Sequence, residues 1–360
     1  MVTFFVFIFI LSILIVVHEF GHFIAARRLG VRVENFSLGF GPVLLKKKKR
    51  DTEYAISAIP LGGFVKLAGD NLEEYKGEPY EYYSQSPGRR FQIIFCGPLL
   101  NYILGFLFFW LIFFVGYPTL TTRVGGLMDG FGAKEAGIQA GDKIAAVDGV
   151  KVDYWEDLQK MIQDKKAAAK ATLTVLRENK EFVVEVKIKQ KEIGDQLGQK
   201  RSVGLIGIIP FGDVVEVRHG FLQSLMLGAK ETLELTFLSY RGLWLMITRK
   251  LSVSESVTGP LGIFYITSKA TSIGLIAVLH LIAVLSISLA IFNLLPLPIL
   301  DGGHILFLAI EKIRGKTLSL KVERIITKIG MTFIVTLATF VTFNDILRLF
   351  GDKLAKFLIK

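Results

Sequence analysis

Residues 3–17 (TFFVFIFILSILIVV) carry no charge and run without interruption into His18-Glu19-Phe20-Gly21-His22. A stretch this apolar forms a helix that lipid or a large core must cover. On a helix, histidines four residues apart project from one face and are spaced to share a zinc ion. Glu19 lies beside them, placed as a general base toward an attacking water. Ionisable groups at lipid depth are costly, so three together point to function. The bland alternative is a chance HExxH whose histidines satisfy local hydrogen bonds, which leaves that cost unexplained.

Hydrophobic residues make up 51% of the 360-residue chain, more than an ordinary soluble domain uses. Residues 91–116 and 273–300 are further apolar runs of spanning length, about 20 residues, and 325–343 is a less pure one. The fold expected is an α-helical multi-pass membrane protein of four spans, at 1–24, 91–117, 273–300 and 323–345. Residues 221–247 differ: Gln223, Lys230, Glu234 and Arg241 fall on one narrow arc of a helix. That pattern suits an amphipathic helix on the membrane or the bundle, within a linker region 192–250. The first span lacks a basic leader and a small-residue cleavage site, so it reads as retained. Cys96 is the single cysteine, which excludes an intrachain disulfide.

Basic residues orient the spans. Arg27, Arg28, Arg32, the run 46–50, Lys66, Lys76, Arg89 and Arg90 lie in segment 25–90. Lys312, Arg314, Lys316 and Lys321 lie in segment 301–322, and Arg324 comes just after it. Both segments are expected in the cytoplasm, with the N-terminus, residues 117–272 and the tail 346–360 outside. The net charge of +11 then reflects this bias and contact with anionic lipid. No motif supports a nucleic-acid partner.

Between the first two spans, 54–59 and 64–68 flank Pro60-Leu61-Gly62-Gly63, which predicts a membrane-associated β-hairpin over 53–68. Residues 70–90 read as a polar, Tyr-rich surface loop. Residues 120–191 change character toward a soluble α+β module. A helical turn at 133–136, a helix at 154–165 and strands at 171–177 and 182–189 are expected there. With AGIQAGDKIAAVDG (136–149) they resemble an inserted PDZ domain, a module that binds extended peptides at a sheet edge. A plain structural spacer remains open. Residues 203–209 give one more strand candidate.

A catalytic zinc commonly takes three protein ligands. The third candidate is Asp301, which closes Asn293-Leu294-Leu295-Pro296-Leu297-Pro298-Ile299-Leu300-Asp301-Gly302-Gly303. Two prolines must break the helix there, and broken backbone at membrane depth is tolerated only beside protein or a wet cavity. Phe4 to His18 spans about 21 Å of helix in a core of about 30 Å, which puts the histidines past the midplane toward the cytoplasm. The third span enters from outside, so Asp301 arrives at the same level. Glu34 and Glu53 are weaker ligand candidates. His280 reads as a packing residue, His304 stays unassigned, and His219 lies outside the membrane. Asn101 and Asn293 read as interhelical hydrogen-bonders, with a substrate or oxyanion role also open for Asn293.

HEFGH, Gly97-Pro98-Leu99-Leu100-Asn101, Thr258-Gly259-Pro260-Leu261-Gly262-Ile263 and NLLPLPILDGG occur in an order that resembles the site-2 protease family, over essentially the whole chain. The resemblance implies an intramembrane zinc protease that cuts single-pass membrane proteins, anti-sigma factors among them. It implies Zn2+ on His18, His22 and Asp301, Glu19 as the base, and a bacterial inner-membrane location. It implies a β-element presenting an edge to unwound substrate, here Phe64, Val65, Lys66 and Leu67, and substrate handling by Asn293. Familiar members carry two PDZ domains, whereas one is visible here. An ion carrier would show repeated ligand sets, and no internal repeat is present. A dead scaffold would lack the base, and Glu19 is in place.

Overall fold

The computed structural model describes residues 1–165, 169–194, 199–316 and 319–358. The chain divides into two units, 1–112 with 222–360, and 113–221.

In the first unit, α1 runs Val2–Arg28. It ends on Arg27 and Arg28, cations that suit a helix C-terminus. Two strands come next, β1 (Val33–Lys49) and β2 (Thr52–Leu67). The sequence leads one to expect that 54–59 and 64–68 pair with each other across Pro60–Gly63, and they do not. Residues 35–38 stand between them, opposite 53–56 on one side and 63–66 on the other. Residues 43–49 pair in turn with 52–57. The alternation marks strand-forming segments correctly, but the partner in the middle comes from a stretch interrupted by Gly39, Gly41 and Pro42. The 63–67 segment is left at one edge of this sheet, against α1: a Cβ on Gly63 would sit 3.6 Å from Glu19 Cγ and 3.7 Å from Ile15.

Residues 70–86 are more than a surface loop. The buried Glu81 carboxylate accepts the backbone N–H groups of Lys76, Gly77 and Glu78 at 2.8–3.0 Å. This folds the loop onto itself and carries Tyr82 and Tyr83 under the sheet, in a short 3₁₀ turn, Tyr82–Ser84. Helix α2 (Pro87–Val115) then passes α1 at very close range. A Cβ on Gly21 would lie 2.2 Å from the Cys96 carbonyl oxygen, so only glycine fits.

The second unit opens with β3 (Tyr117–Leu120), β4 (Val124–Leu127) and α3 (Gly132–Glu135). Next come β5 (Lys143–Val147), β6 (Val150–Lys151), α4 (Trp155–Gln163), β7 (Lys170–Arg177) and β8 (Lys180–Lys187). The sheet order is β6-β5-β7-β8. Glu178 and Asn179, both at positive φ, make the tight β7–β8 turn. Inward residues such as Ile144, Val147, Leu158, Leu173, Val175 and Val186 form one buried core. The unit does not stop at 191. β9 (Lys189–Gly194) pairs with β10 (Lys200–Leu205), β11 (Ile208–Pro210) with β4, and β12 (Val214–Val217) with β3. The stretch expected as linker therefore closes the domain, because the edges left by β3 and β4 need partners.

Returning to the first unit, α5 (Phe221–Ile247) lays a face of small residues, Ser224, Gly228 and Thr232, inward. A Cβ on Gly228 would lie 2.8 Å from the Trp110 backbone nitrogen on α2, and Tyr102 Oη meets Thr236 Oγ1 at 3.0 Å. After α6 (Val253–Ser256) come α7 (Pro260–Ile273), α8 (Leu275–Asn293), α9 (Asp301–Arg314) and α10 (Leu320–Leu358). The third apolar run is thus a helix only to Asn293, since Pro296 and Pro298 cannot continue it. Among the described residues, four helices are long and apolar enough to cross a membrane: α1, α2, α8 and, within α10, Lys321–Phe350.

The Thr258–Ile263 motif has a packing reason. Asp345 of α10 is buried and accepts the N–H of Gly262 at 2.8 Å and of Gly259 at 3.3 Å, holding the start of α7. Its loss leaves buried donors unpaired, at about 1–3 kcal/mol. Asp345→Ala is expected to lower the thermal unfolding midpoint in detergent, and Asp345→Asn, which keeps an acceptor, to lower it less.

Candidate metal centre

His18 and His22 lie one helical turn apart on α1, with their Nε2 atoms 3.2 Å from each other. Asp301 comes from the opposite end of the chain. Residues 294–300 leave the helix, Leu300 is extended, and Asp301 opens α9 with Oδ2 at 3.2 Å from His18 Nε2 and 3.6 Å from His22 Nε2. Donors about 2.0–2.1 Å from a tetrahedral zinc ion stand about 3.3 Å apart, and these three separations match. Asp301 Oδ2 is buried without a hydrogen bond. Among the described residues, these three form the one group of such side chains spaced to hold a metal ion. The donor set, two imidazoles and a carboxylate, suits zinc.

Neighbouring groups set the tautomers. His22 Nδ1 donates to the Ile93 carbonyl at 2.9 Å, which leaves the Nε2 lone pair facing the cluster. His18 Nδ1 lies 3.5 Å from the Asn101 amide and 3.4 Å from that of Asn293. Asn101 Oδ1 is buried and unpaired. Turning the Asn101 amide over puts that oxygen on His18 Nδ1–H and again frees Nε2 for a metal.

Glycines make room for this. A Cβ on Gly97 would lie 2.3 Å from His22 Nε2 and 3.0 Å from His18 Cε1, so both rings rest against bare α2 backbone. Cβ atoms on Gly302 and Gly303 would meet the carbonyls of Leu294, Leu295 and Leu297 at 2.2–2.3 Å. The glycines after Asp301 let α9 dock on the broken segment that delivers the carboxylate. Pro298 in turn packs over Gly330 of α10.

Glu19, His22 and Asp301 line one end of a cavity of about 320 Å³. Val65 and Leu67 of the sheet edge form part of its wall, and the Val65 backbone N–H interacts with the Glu19 carboxylate. Asp70, Tyr82, Tyr83, Arg90 and Glu311 line it further out. Arg90 is buried, paired with Glu311 and stacked near both tyrosine rings. Burial pushes the Tyr83 hydroxyl up to about 12 and raises the Asp70 carboxyl from its ordinary value.

Of the residues singled out in the sequence, His18, Glu19, His22, Asp301, Asn293 and Val65 meet at one place. Leu67 and His304 share the cavity wall. Asn101 does more than join helices, since it abuts His18. Glu34 pairs with Lys66 and Glu53 with Lys46, and neither belongs to the metal cluster. His280 packs on the Phe109 ring. Tyr82, Tyr83, Arg90 and Glu311 are site residues that sequence reasoning misses. The one signal for them is Arg90, a cation at the very edge of an apolar run.

An HExxH helix joined by a distant carboxylate, set among helices long and apolar enough to cross a membrane, defines a metalloprotease class of site. A model of peptidase family M50 matches residues 6–337, and the chain belongs to that family. Two similar proteins are proposed zinc metalloproteases. That of Agrobacterium fabrum is 33% identical over 362 residues, covering 96% of each chain. That of Campylobacter jejuni is 34% identical over 348 residues, covering 95% of this chain and 93% of the relative. The regulator of sigma-E protease RseP of Escherichia coli is 29% identical, covering 95% of this chain and 98% of its own. That alignment runs over 441 positions, more than this chain's whole length, so RseP carries residues with no counterpart here. The protein is a zinc metalloprotease.

Two outcomes test the geometry. Gly97→Ala should displace the His22 ring and weaken zinc binding about tenfold or more, read as metal per protein after dialysis against a graded chelator. Asp301→Ala should lower zinc content at the same free metal concentration, and unchanged occupancy would remove Asp301 from the site.

Proposed function

We propose that this protease hydrolyses peptide bonds within or beside the transmembrane segments of single-pass membrane proteins. His18, His22 and Asp301 hold the zinc and Glu19 is the general base. The observation that carries the reading is the juxtaposition of three donors at tetrahedral spacing with a sheet edge, inside helices of spanning length. A zinc ion held by these residues would supply Lewis acidity toward the scissile carbonyl and toward a water whose pKa it would lower.

The chain's own residues supply the rest. A peptide bond inside a membrane helix is shielded, so the segment must unwind before attack. Phe64, Val65, Lys66 and Leu67 form the edge at which the substrate adds as a strand, its carbonyls taking over the Val65 and Leu67 N–H groups that Glu19 and Asp70 hold in its absence. The edge runs past Glu19, so the added strand is presented to the base. Glu19 takes a proton from the attacking water and returns it to the leaving amine. Asn293, beside His18, offers amide hydrogens to the substrate backbone or the oxygen that gains charge. The polar cavity wall admits water to a site otherwise surrounded by apolar side chains.

Basic segments around α1, α2, α9 and the start of α10 argue for a metal on the cytoplasmic side of a bacterial inner membrane, in contact with lipid. The second unit then stands outside, as a PDZ-like module for an extended peptide. Anti-sigma factors and signal-peptide remnants fit as substrates, in regulated intramembrane proteolysis, and no nucleic acid is involved.

Purified protein incubated with a tagged single-span substrate should cut it, and a chelator should abolish cutting. Glu19→Gln should keep its zinc and lose about a hundredfold or more in rate. Full activity in that variant, or cutting insensitive to chelator, sinks the assignment. Helix-weakening Gly or Asn residues near the scissile bond should raise kcat/KM, whereas an Ala/Leu replacement should lower it.

A further inference from the structure

The outer half of the β1–β2 sheet takes no part in the chemistry above, yet its composition is sharply divided. Phe40, Val43, Leu44, Leu45, Ile56 and Ile59 are exposed, with Leu44 and Leu45 at 64% and 66%. Directly after Leu45 come Lys46, Lys47, Lys48 and Lys49, the last residues of β1, and Arg50 of the turn into β2, all exposed. Only Lys46 of the four lysines faces a carboxylate among the described ion pairs, Glu53 at 3.9 Å.

Register fixes the levels of these groups. Thr52 Oγ1 donates to the Val33 carbonyl at 2.8 Å, and Arg32 pairs with Asp51 at 3.3 Å. The Lys49 end of the basic run therefore stands level with the start of β1, just beyond the Arg27–Arg28 end of α1, and Lys46 stands level with Ser37. At the other end of the sheet, Gly63 lies against Ile15 and Glu19, and Gly62 beside the Phe40 ring. Phe40 stands opposite Ile59 and Leu45 opposite Ile56, so with its bulge at Gly41 and Pro42 this stretch advances about 10 Å along the sheet, within the roughly 15 Å depth of one hydrocarbon leaflet. Exposed apolar residues thus fill one end of the sheet, and the lysines follow them toward the end level with the Arg27–Arg28 terminus of α1.

We propose that this rim is a binding surface for anionic phospholipid of the cytoplasmic leaflet. Residues 40–45 sit among acyl chains, and Lys46–Lys49 contact the phosphate-bearing headgroups; this rests on the membrane orientation proposed above. Charge complementarity selects the partner: four adjacent lysines against an acidic headgroup, with an apolar band beside them that a soluble acidic protein would leave exposed. The sheet links the rim to the site. Residues 43–49 pair with 52–57, the 53–56 part of that segment pairs with 35–38, and 35–38 pair with 63–66 beside Glu19. Lipid held at the rim thereby sets where the edge strand stands.

The test uses the full chain in vesicles, with Leu44→Cys in a Cys96→Ser background carrying a fluorophore. Quenching by brominated phosphatidylglycerol is compared with quenching by brominated phosphatidylcholine. The anionic lipid should quench at about threefold lower mole fraction, and high salt should erase the difference. K46Q/K47Q/K48Q/K49Q should erase it too, while the matching four Lys→Arg changes should preserve it. No quenching by either lipid would show that the rim lies outside the bilayer and overturn the proposal. Equal quenching by both lipids, or a preference that survives the glutamine variant, would overturn headgroup recognition. The readout needs no proteolysis, so its failure and a failure of the protease mechanism are separately visible.

Discussion

Two nitrogens and one oxygen, each within 3.6 Å of the others, hold this molecule's organisation together. Bringing them together demands that α1 and α2 touch backbone to backbone, and that α9 begin on a segment that has abandoned its helix. Both demands are met by removing side chains. Gly21 and Gly97 let the helices close, and Gly302 and Gly303 let α9 seat against the carbonyls of Leu294, Leu295 and Leu297. With these contacts made, His22 has its Nδ1 proton on Ile93 and its other nitrogen turned to the cluster. A metal ion bound there would meet donors already oriented, with little reorganisation to oppose binding.

Around that centre the two walls of the cavity differ in character. On one side the sheet offers backbone at an edge, with Val65 at the level of Glu19. On the other, Arg90 and Glu311 form a buried pair joining α2 to α9, flanked by Tyr82 and Tyr83. A buried ion pair of this kind contributes little net stability, but breaking it leaves an uncompensated charge. Its role here is geometric, since α9 carries Asp301 and α2 carries Gly97. The polar loop 70–86, organised by Glu81, supplies the tyrosines and closes this side.

Parts of this are legible without coordinates. HEFGH and NLLPLPILDGG reveal themselves because ionisable groups and prolines in apolar surroundings need a reason, and depth along the helices brings Asp301 to the histidines. The apolar runs give the helices long enough to span a membrane, because a backbone in apolar surroundings must bond within its own segment. The β-sheet is half legible: alternation shows strands at 54–59 and 64–68, but not that residues 35–38 lie between them. Alternation is a property of one strand, whereas pairing is a property of two. The extent of the second unit escapes for the same reason, as β11 and β12 exist to cover β4 and β3.

The order of residues alone thus determined which chemistry the chain carries, since a ligand's identity and its periodicity along a helix are local facts. Tertiary structure decided how that chemistry is arranged: which carbonyl fixes the His22 tautomer, why Gly97 cannot bear a side chain, which strand edge faces Glu19, and that Asp345 holds the start of α7. Each of these depends on atoms far apart in the chain meeting within a few ångströms. Close packing, not local preference, selects such meetings.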